Sequence, residues 1–143
     1  MQIAYTSQDY RKQPQSLGCG LIDLFINGPT QPIKGEIVTK HLNSILGVSE
    51  ISKGKFKIPR LIRFNNPNTQ NLIIFNQYFD VEVLCLDDKA NKLVSKLYYI
   101  KSHKGTGQYI QAFAQVSAII IAPSGFIKQH KIIEGKTKIN FTI

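Results

Sequence analysis

The segment LIIFNQYFDVEVLCL, residues 72–86, decides how this sequence folds. The polar segment DDKANK (87–92) follows it, and LVSKLYYIK (93–101) comes next. Both outer segments are rich in β-branched and aromatic residues, which favour extended strands. The odd-numbered residues from 81 to 85 share one face of such a strand, because side chains alternate between its two faces. We therefore predict a β-hairpin whose turn lies at 87–92.

Other parts of the chain show the same preference for strands. Dense or alternating apolar residues bounded by turn-forming residues predict them at Leu21–Ile26, Lys53–Ile58, Tyr109–Ile121, Phe126–Ile133 and Lys136–Ile143. The region Gln108–Ala122 contains four alanines and neither Gly nor Pro. A helix is therefore the alternative interpretation of that region.

One segment, residues 33–46, has the spacing of a helix. Its apolar side chains recur every three or four positions, at Ile37, Val38, Leu42, Ile45 and Leu46. Gly47 follows at the position of a C-terminal cap. Together these elements predict an α+β fold, in which one helix (about residues 33–46) packs on a predominantly antiparallel β-sheet or partly open barrel.

Length and composition are those of a single domain spanning residues 1–143. Hydrophobic residues make up 43% of the chain and charged residues 19%, as in globular proteins. The polar segment 1–15 is expected to pack loosely.

The longest apolar run, 118–122, is far shorter than the roughly 20 residues that cross a bilayer, and the N-terminus does not resemble a signal peptide. We therefore expect a cytoplasmic protein without membrane contact, in which Cys19 and Cys85 are reduced and Cys85 fills the core.

The charge is unevenly distributed along the chain. Eighteen Lys and Arg against nine Asp and Glu give a formal net charge of +9, and residues 51–143 carry all of it. Such an excess attracts polyanions, above all nucleic acid. Fifteen of the eighteen cations are Lys, which suits phosphate contact irrespective of base sequence. A basic surface without a nucleic-acid partner is the alternative interpretation.

Aromatic residues accompany the lysines in two of the predicted strands. Tyr109 and Phe113 share one strand face with two glutamines, so the rings are candidates for stacking on unpaired bases. We predict a non-enzymatic nucleic-acid-binding protein, for single-stranded DNA or RNA with little sequence specificity. The predicted contact residues are Lys53, Lys55, Lys57, Arg60, Arg63, Lys96, Tyr98, Tyr99, Lys101, Lys104, Tyr109 and Phe113.

Two other classes of function are weaker alternatives. The first is a structural or adaptor subunit that binds protein partners or forms a homo-oligomer. The second is a small nuclease, because Asp80 and Glu82 lie two positions apart and carboxylate pairs can hold Mg²⁺ at a scissile phosphate. Solvated strand faces carry such pairs routinely, and the His and Cys residues lack the spacing of metal sites. We therefore expect no catalytic residue, metal or cofactor.

Overall fold

A computed structural model describes residues 19–38, 45–47, 56–68, 72–76, 78–87, 92–102, 108–110 and 116–142. The described residues form ten strands and one short helix. The strands are β1 (Cys19–Ile26), β2 (Ile33–Val38), β3 (Ile45–Gly47), β4 (Arg60–Asn68), β5 (Leu72–Phe75), β6 (Val81–Asp87), β7 (Val94–Ile100), β8 (Gln108–Ile110), β9 (Val116–Pro123) and β10 (Ile139–Thr142). The helix α1 is Phe126–Gln129.

Seven strands form one mixed sheet in the order β10-β1-β2-β4-β9-β6-β7. Five of its six neighbouring pairs are antiparallel, and β2 pairs with β4 in parallel. A smaller sheet has the order β3-β5-β8, with β3 parallel to β5 and β8 antiparallel to it. The prediction of a β-rich α+β fold is confirmed, whereas the antiparallel prediction is only partly right because each sheet contains a parallel pair.

The predicted hairpin is present as β6 and β7. Val81 pairs with Ile100 and Leu84 with Leu97, in antiparallel register. β6 also pairs with β9 on its other side. Every residue from Val81 to Leu86 is buried, so both faces of β6 are covered. Cys85 is a free thiol in this interior, as expected.

The large sheet is open, although its two edge strands meet at one corner. There Leu93 and Lys138 form an isolated antiparallel bridge. The Val94 N–H donates to the Thr137 carbonyl at 2.8 Å, and the Gly135 N–H donates to the Val94 carbonyl at 2.8 Å. Hydrogen bonds at this corner bring β7 and β10 together without closing the sheet into a barrel.

The core cluster lies on one face of the large sheet. Its members alternate along each strand with residues of the opposite face, as the period of a strand requires. The cluster includes Ile22, Leu24, Ile37, Leu61, Leu84, Leu86, Ile120 and Ile139 from the strands, with Phe126, Ile127 and Ile132 from α1 and the segment after it. Complete burial of each such side chain contributes about 2 kcal/mol to folding. The helix is thus a cover over one part of the core.

The prediction of a helix over residues 33–46 is wrong. Residues 33–38 form β2, and Ile45 to Gly47 form β3, while residues 39–44 lie outside the described part. Ile33, Gly35 and Ile37 face the core, and Lys34 and Glu36 point the other way. Pairing with β1 and β4 satisfies the backbone groups, so tertiary contacts prevail over the helical spacing.

The predicted strand Phe126–Ile133 is also wrong, because the chain forms α1 there. Gly125 has φ of 95°, a conformation that suits glycine and turns the chain sharply after β9. In the neighbouring ambiguous region 108–122, the described residues form β8 and β9, so they are strands rather than a helix. The predicted loose segment 1–15 lies outside the described residues.

Candidate nucleic-acid interface

Two adjoining clefts lie at one end of the large sheet. Strands β1, β7 and β9 end there and β2, β4 and β6 begin there, so the connections between them come together. Pro123, the last residue of β9, and Ser124 line both clefts. The two clefts therefore form one continuous surface with the turn at Pro123–Ser124 between them.

The first cleft, here the basic cleft, has a volume of about 610 Å³ and is lined in part by Lys34, Lys57 and His130. Lys34 is paired with Asp23, with 3.1 Å between Nζ and Oδ1. Lys57 is exposed and has no carboxylate partner among the residues that the structure describes. Unlike Lys34, Lys57 can therefore offer its full charge to an anion that binds in this cleft.

His130 lies at the end of α1 and packs against Phe126, with 4.5 Å between the ring centroids. Burial lowers the pKa of His130 below its ordinary value, because the imidazolium is poorly solvated there. The neutral imidazole consequently predominates at neutral pH. A phosphate in the basic cleft would favour the charged form, because its negative charge attracts the imidazolium.

The position of α1 depends on the buried carboxylate of Glu82. Its Oε2 accepts a hydrogen bond from the Gly125 N–H and its Oε1 one from the Ile127 N–H, both at 2.8 Å. These are among the backbone N–H groups that a helix leaves without an internal partner at its N-terminus. Through these two contacts β6 fixes the turn after β9, and with it Ser124 and His130.

The second cleft, here the aromatic cleft, has a volume of about 440 Å³ and is lined by Phe56, Tyr78, Phe79 and Asp80 together with Ser102 and the shared turn. The rings of Phe56 and Phe79 have centroids 5.5 Å apart and are tilted by 53°. Tyr78 is 39% exposed. The cleft thus combines rings packed against each other with a ring and a carboxylate that reach solvent.

The aromatic cleft is held in place by the amide of Asn76, which is buried. Its Nδ2 donates to the carbonyls of Phe79 (3.0 Å), Ile100 (3.3 Å) and Lys101 (3.1 Å). The Asp80 Oδ1 accepts from the Ser102 N–H at 2.8 Å. These contacts tie the backbone just before β6 to the end of β7, so the fold holds together the two segments that line the cleft.

Of the predicted contact residues, Lys57 lines the basic cleft. Arg60 follows Lys57 three residues later in the sequence, but its side chain is buried. Arg60 is 3% exposed, and its Nη2 lies 3.3 Å from Oε1 of Glu36. A phosphate contact needs an accessible cation, and the burial of Arg60 at the start of β4 does not favour one. Its contact with nucleic acid stays a prediction.

The four predicted residues of β7 and its end do not form one surface. Tyr98 and Tyr99 lie opposite Val83 and Glu82 respectively, and therefore on different faces of the sheet. Tyr99 is 69% exposed, whereas Tyr98 is half-buried. The pKa of Tyr98 is raised, mainly by burial and to a lesser extent by the charges of Cys85 and Glu134. The other two are Lys96, half-buried opposite Cys85, and Lys101, exposed just before Ser102.

Arg63 lies on the core side of β4, outside both clefts. Its guanidinium carbon is 5.6 Å from the centroid of the Phe141 ring. The ammonium of Lys92 is 5.0 Å from the same centroid. Two cations thus contact one ring, an arrangement that stabilises the protein by cation–π attraction.

The remaining predicted contacts cannot be placed on this surface. Lys53, Lys55, Lys104 and Phe113 lie outside the described residues, and of Tyr109 only the backbone is described, in β8. The predicted stacking face of Tyr109 and Phe113 accordingly stays a prediction.

The carboxylate pair considered for a nuclease has other contacts. Both oxygens of Glu82 accept backbone hydrogen bonds beneath α1, and Asp80 accepts one from Ser102. Within the described part of the chain no three His, Cys, Asp or Glu side chains come close enough to hold a metal ion. Nor do the described residues contain a helix long and apolar enough to cross a membrane.

Sequence reasoning missed Tyr78, Phe79, Ser124 and His130 as members of the surface. A signal for the first two exists in the chain, because polar Asn and Gln at 76–77 interrupt the apolar run 72–86 just before them. Such an interruption indicates a turn, and rings in a turn reach solvent more readily than rings in a buried strand. His130 carries no local signal, since only the fold brings it close to Lys57.

Comparison with known proteins gives a fold but no family. No protein-family model matches the chain, and no curated protein matches it. Two crystal structures are similar in fold, each with a TM-score of 0.58. One is a protein of unknown function from Novosphingobium aromaticivorans DSM 12444, 9% identical over 84% of each chain. The other, proposed as a transcription regulator, is from Sinorhizobium meliloti 1021 and is 11% identical over 87% of this chain and 95% of that one. At sequence identities this low, the similarity shows a shared fold and nothing about function.

Proposed function

We propose that the protein binds single-stranded nucleic acid across the two clefts, with phosphates in the basic cleft and bases in the aromatic cleft. One observation carries the proposal, namely that Lys57 and His130 line a cleft that adjoins exposed and packed rings at the Pro123–Ser124 turn. Cations that follow a backbone beside rings that stack on bases are the two elements of single-strand recognition.

The dimensions of the clefts suit a nucleotide unit. Their volumes of about 610 and 440 Å³ fall in the range of roughly 300–1,000 Å³ that small-molecule sites occupy. A base can enter the aromatic cleft only when it is unpaired, because the bases of a duplex are stacked inside the helix. The proposal is therefore limited to single strands.

The charge of the whole chain supports the same partner. The formal net charge is +9, and two more exposed lysines, Lys128 and Lys131, flank His130. Their field raises the local concentration of a polyanion and accelerates its association, even where no direct contact forms. The solved structure proposed as a transcription regulator is compatible with a nucleic-acid partner, but its likeness to this chain extends only to the fold.

The first prediction concerns Lys57. Replacement of Lys57 by Gln is expected to weaken binding of a fluorescent oligothymidylate of about twelve nucleotides roughly fivefold at about 50 mM salt, because one phosphate contact is lost. The slope of log affinity against log salt should become shallower by about 0.7. Fluorescence anisotropy measures both quantities.

Lys136→Gln is the matched control, since Lys136 is exposed in the turn before β10 and lines neither cleft. It removes the same charge and should change the affinity less than twofold, as expected for long-range attraction only. Equal effects of the two variants would contradict a localised site. If the native protein gives no anisotropy change at micromolar concentration, the function itself is wrong, and light scattering should then test the adaptor alternative.

The second prediction uses the lowered pKa of His130. The fold favours the neutral imidazole, whereas a neighbouring phosphate favours the imidazolium, so a proton is taken up on binding. Affinity should therefore rise as the pH falls through the histidine range, from about pH 7.5 to about pH 5.5. In the His130→Gln variant, the total increase in affinity over this pH range should be about threefold smaller than in the native protein.

Anisotropy titrations at several pH values test this prediction with one oligonucleotide. His41 and His103 are present in both proteins, so the difference between the two pH profiles isolates His130. Parallel profiles for the native protein and the variant would remove His130 from the binding surface.

A further inference from the structure

The aromatic cleft contains a carboxylate as well as rings. Asp80 is exposed and lies at the start of β6, and it lines this cleft with Tyr78 and Phe79. Its Oδ1 accepts the Ser102 N–H at 2.8 Å, which fixes the orientation of the carboxylate. An ionised carboxylate has two oxygens with about four lone-pair positions, so this single hydrogen bond leaves both oxygens able to accept more.

This carboxylate restricts what the aromatic cleft can hold. A phosphate would be repelled by Asp80, and a purely apolar ligand would leave the carboxylate poorly solvated without a donor. A flat aromatic ring that carries N–H groups on its edge satisfies both the packed rings and the carboxylate. Among the parts of a nucleic acid, only a base has this chemistry.

We propose that the aromatic cleft selects guanine and that Asp80 accepts hydrogen bonds from its Watson–Crick edge. This inference rests on the proposed function. Guanine presents two adjacent donors on that edge, N1–H and the N2 amino group, which match the two oxygens of one carboxylate. Adenine and cytosine place one donor beside a ring-nitrogen acceptor, and that acceptor would face the second carboxylate oxygen. Thymine and uracil have one donor between two carbonyls.

The proposal predicts one base-specific position in an otherwise unspecific interface. The test uses an oligothymidylate of about twelve nucleotides with a single central guanine, hypoxanthine (as inosine) or adenine, and measures affinity by fluorescence anisotropy. The guanine oligonucleotide should bind about tenfold more tightly than the adenine one. Inosine, which lacks the N2 amino group, should lie between them.

Asp80→Asn is the decisive variant, because its side-chain oxygen can still accept the Ser102 N–H while one acceptor becomes a donor. It should abolish the difference between guanine and inosine, because the second position no longer accepts the N2 amino group. Lys136→Gln, which lies outside both clefts, is the control and should retain that difference. A structural role alone would alter the unfolding midpoint or weaken all oligonucleotides equally.

The outcomes separate this inference from the proposed function. Binding of plain oligothymidylate without any preference for guanine overturns the role of Asp80 and leaves the interface standing. A guanine preference that survives in Asp80→Asn places base selection elsewhere and also overturns the inference. Failure of the native protein to bind any of the oligonucleotides overturns both.

Discussion

Replacement of Glu82 by Leu is expected to lower the free energy of unfolding by about 3 kcal/mol. Glu82 is 6% exposed, and its two oxygens are the acceptors for the N–H groups of Gly125 and Ile127. Leu has a similar size but no acceptor, so both N–H groups lose this partner, that of Ile127 at a buried position and that of Gly125 at a partly buried one. Each such group costs about 1–3 kcal/mol.

Urea denaturation followed by circular dichroism measures this loss, and the melting temperature should fall by about 10 °C. Glu82→Gln keeps one acceptor oxygen and should lose about half as much. Asp80→Asn is the control, because Asp80 is exposed and the new side chain preserves its hydrogen bond; its effect should stay within about 0.5 kcal/mol. A Leu variant as stable as the native protein would mean that the N-terminus of α1 does not depend on Glu82.

The role of Glu82 shows why the site was harder to predict than the fold. Its position in a strand was evident from the hairpin pattern, since the alternation and the polar turn are both local in sequence. The pattern did not reveal its partners, which lie 43 and 45 residues further along the chain. A carboxylate considered for Mg²⁺ binding therefore proved to hold the turn that shapes both clefts.

The wrong prediction at residues 33–46 has a related cause. Short apolar runs fit a helical period and a strand period almost equally well. In this chain the choice is made by the neighbours, because β1 and β4 offer hydrogen bonds on both sides of β2. A residue such as Ile37 is buried in either interpretation, so its burial was predictable while its secondary structure was not.

Of the predicted contact residues, the structure separates those that are exposed from those that are buried. Lys57 is exposed at the basic cleft, whereas Arg60, three residues later, is buried. Charge counting treats the two residues alike. The distinction comes from Glu36, which lies beside Arg60 across the parallel pair β2–β4 and was expected to lie in a helix.

The ion pair between Glu36 and Arg60 should respond asymmetrically to substitution. The Arg60 side chain is 4% exposed and that of Glu36 is 30% exposed, so the guanidinium depends more on its partner than the carboxylate does. Glu36→Gln leaves a buried cation without this counter-charge and should cost about 2–3 kcal/mol. Arg60→Met removes the buried charge itself and fills much of the same space, so it should cost less than about 1 kcal/mol.

Urea denaturation of the two single variants and the double variant tests this asymmetry, because the double variant should be close to Arg60→Met alone once the buried charge is gone. The same Arg60→Met protein separates the structural role from the one first predicted from sequence. As a structural residue, Arg60 can be replaced with less than a twofold change in oligonucleotide affinity. A loss comparable to that of Lys57→Gln, with the stability intact, would instead mean that the guanidinium reaches a phosphate despite its burial.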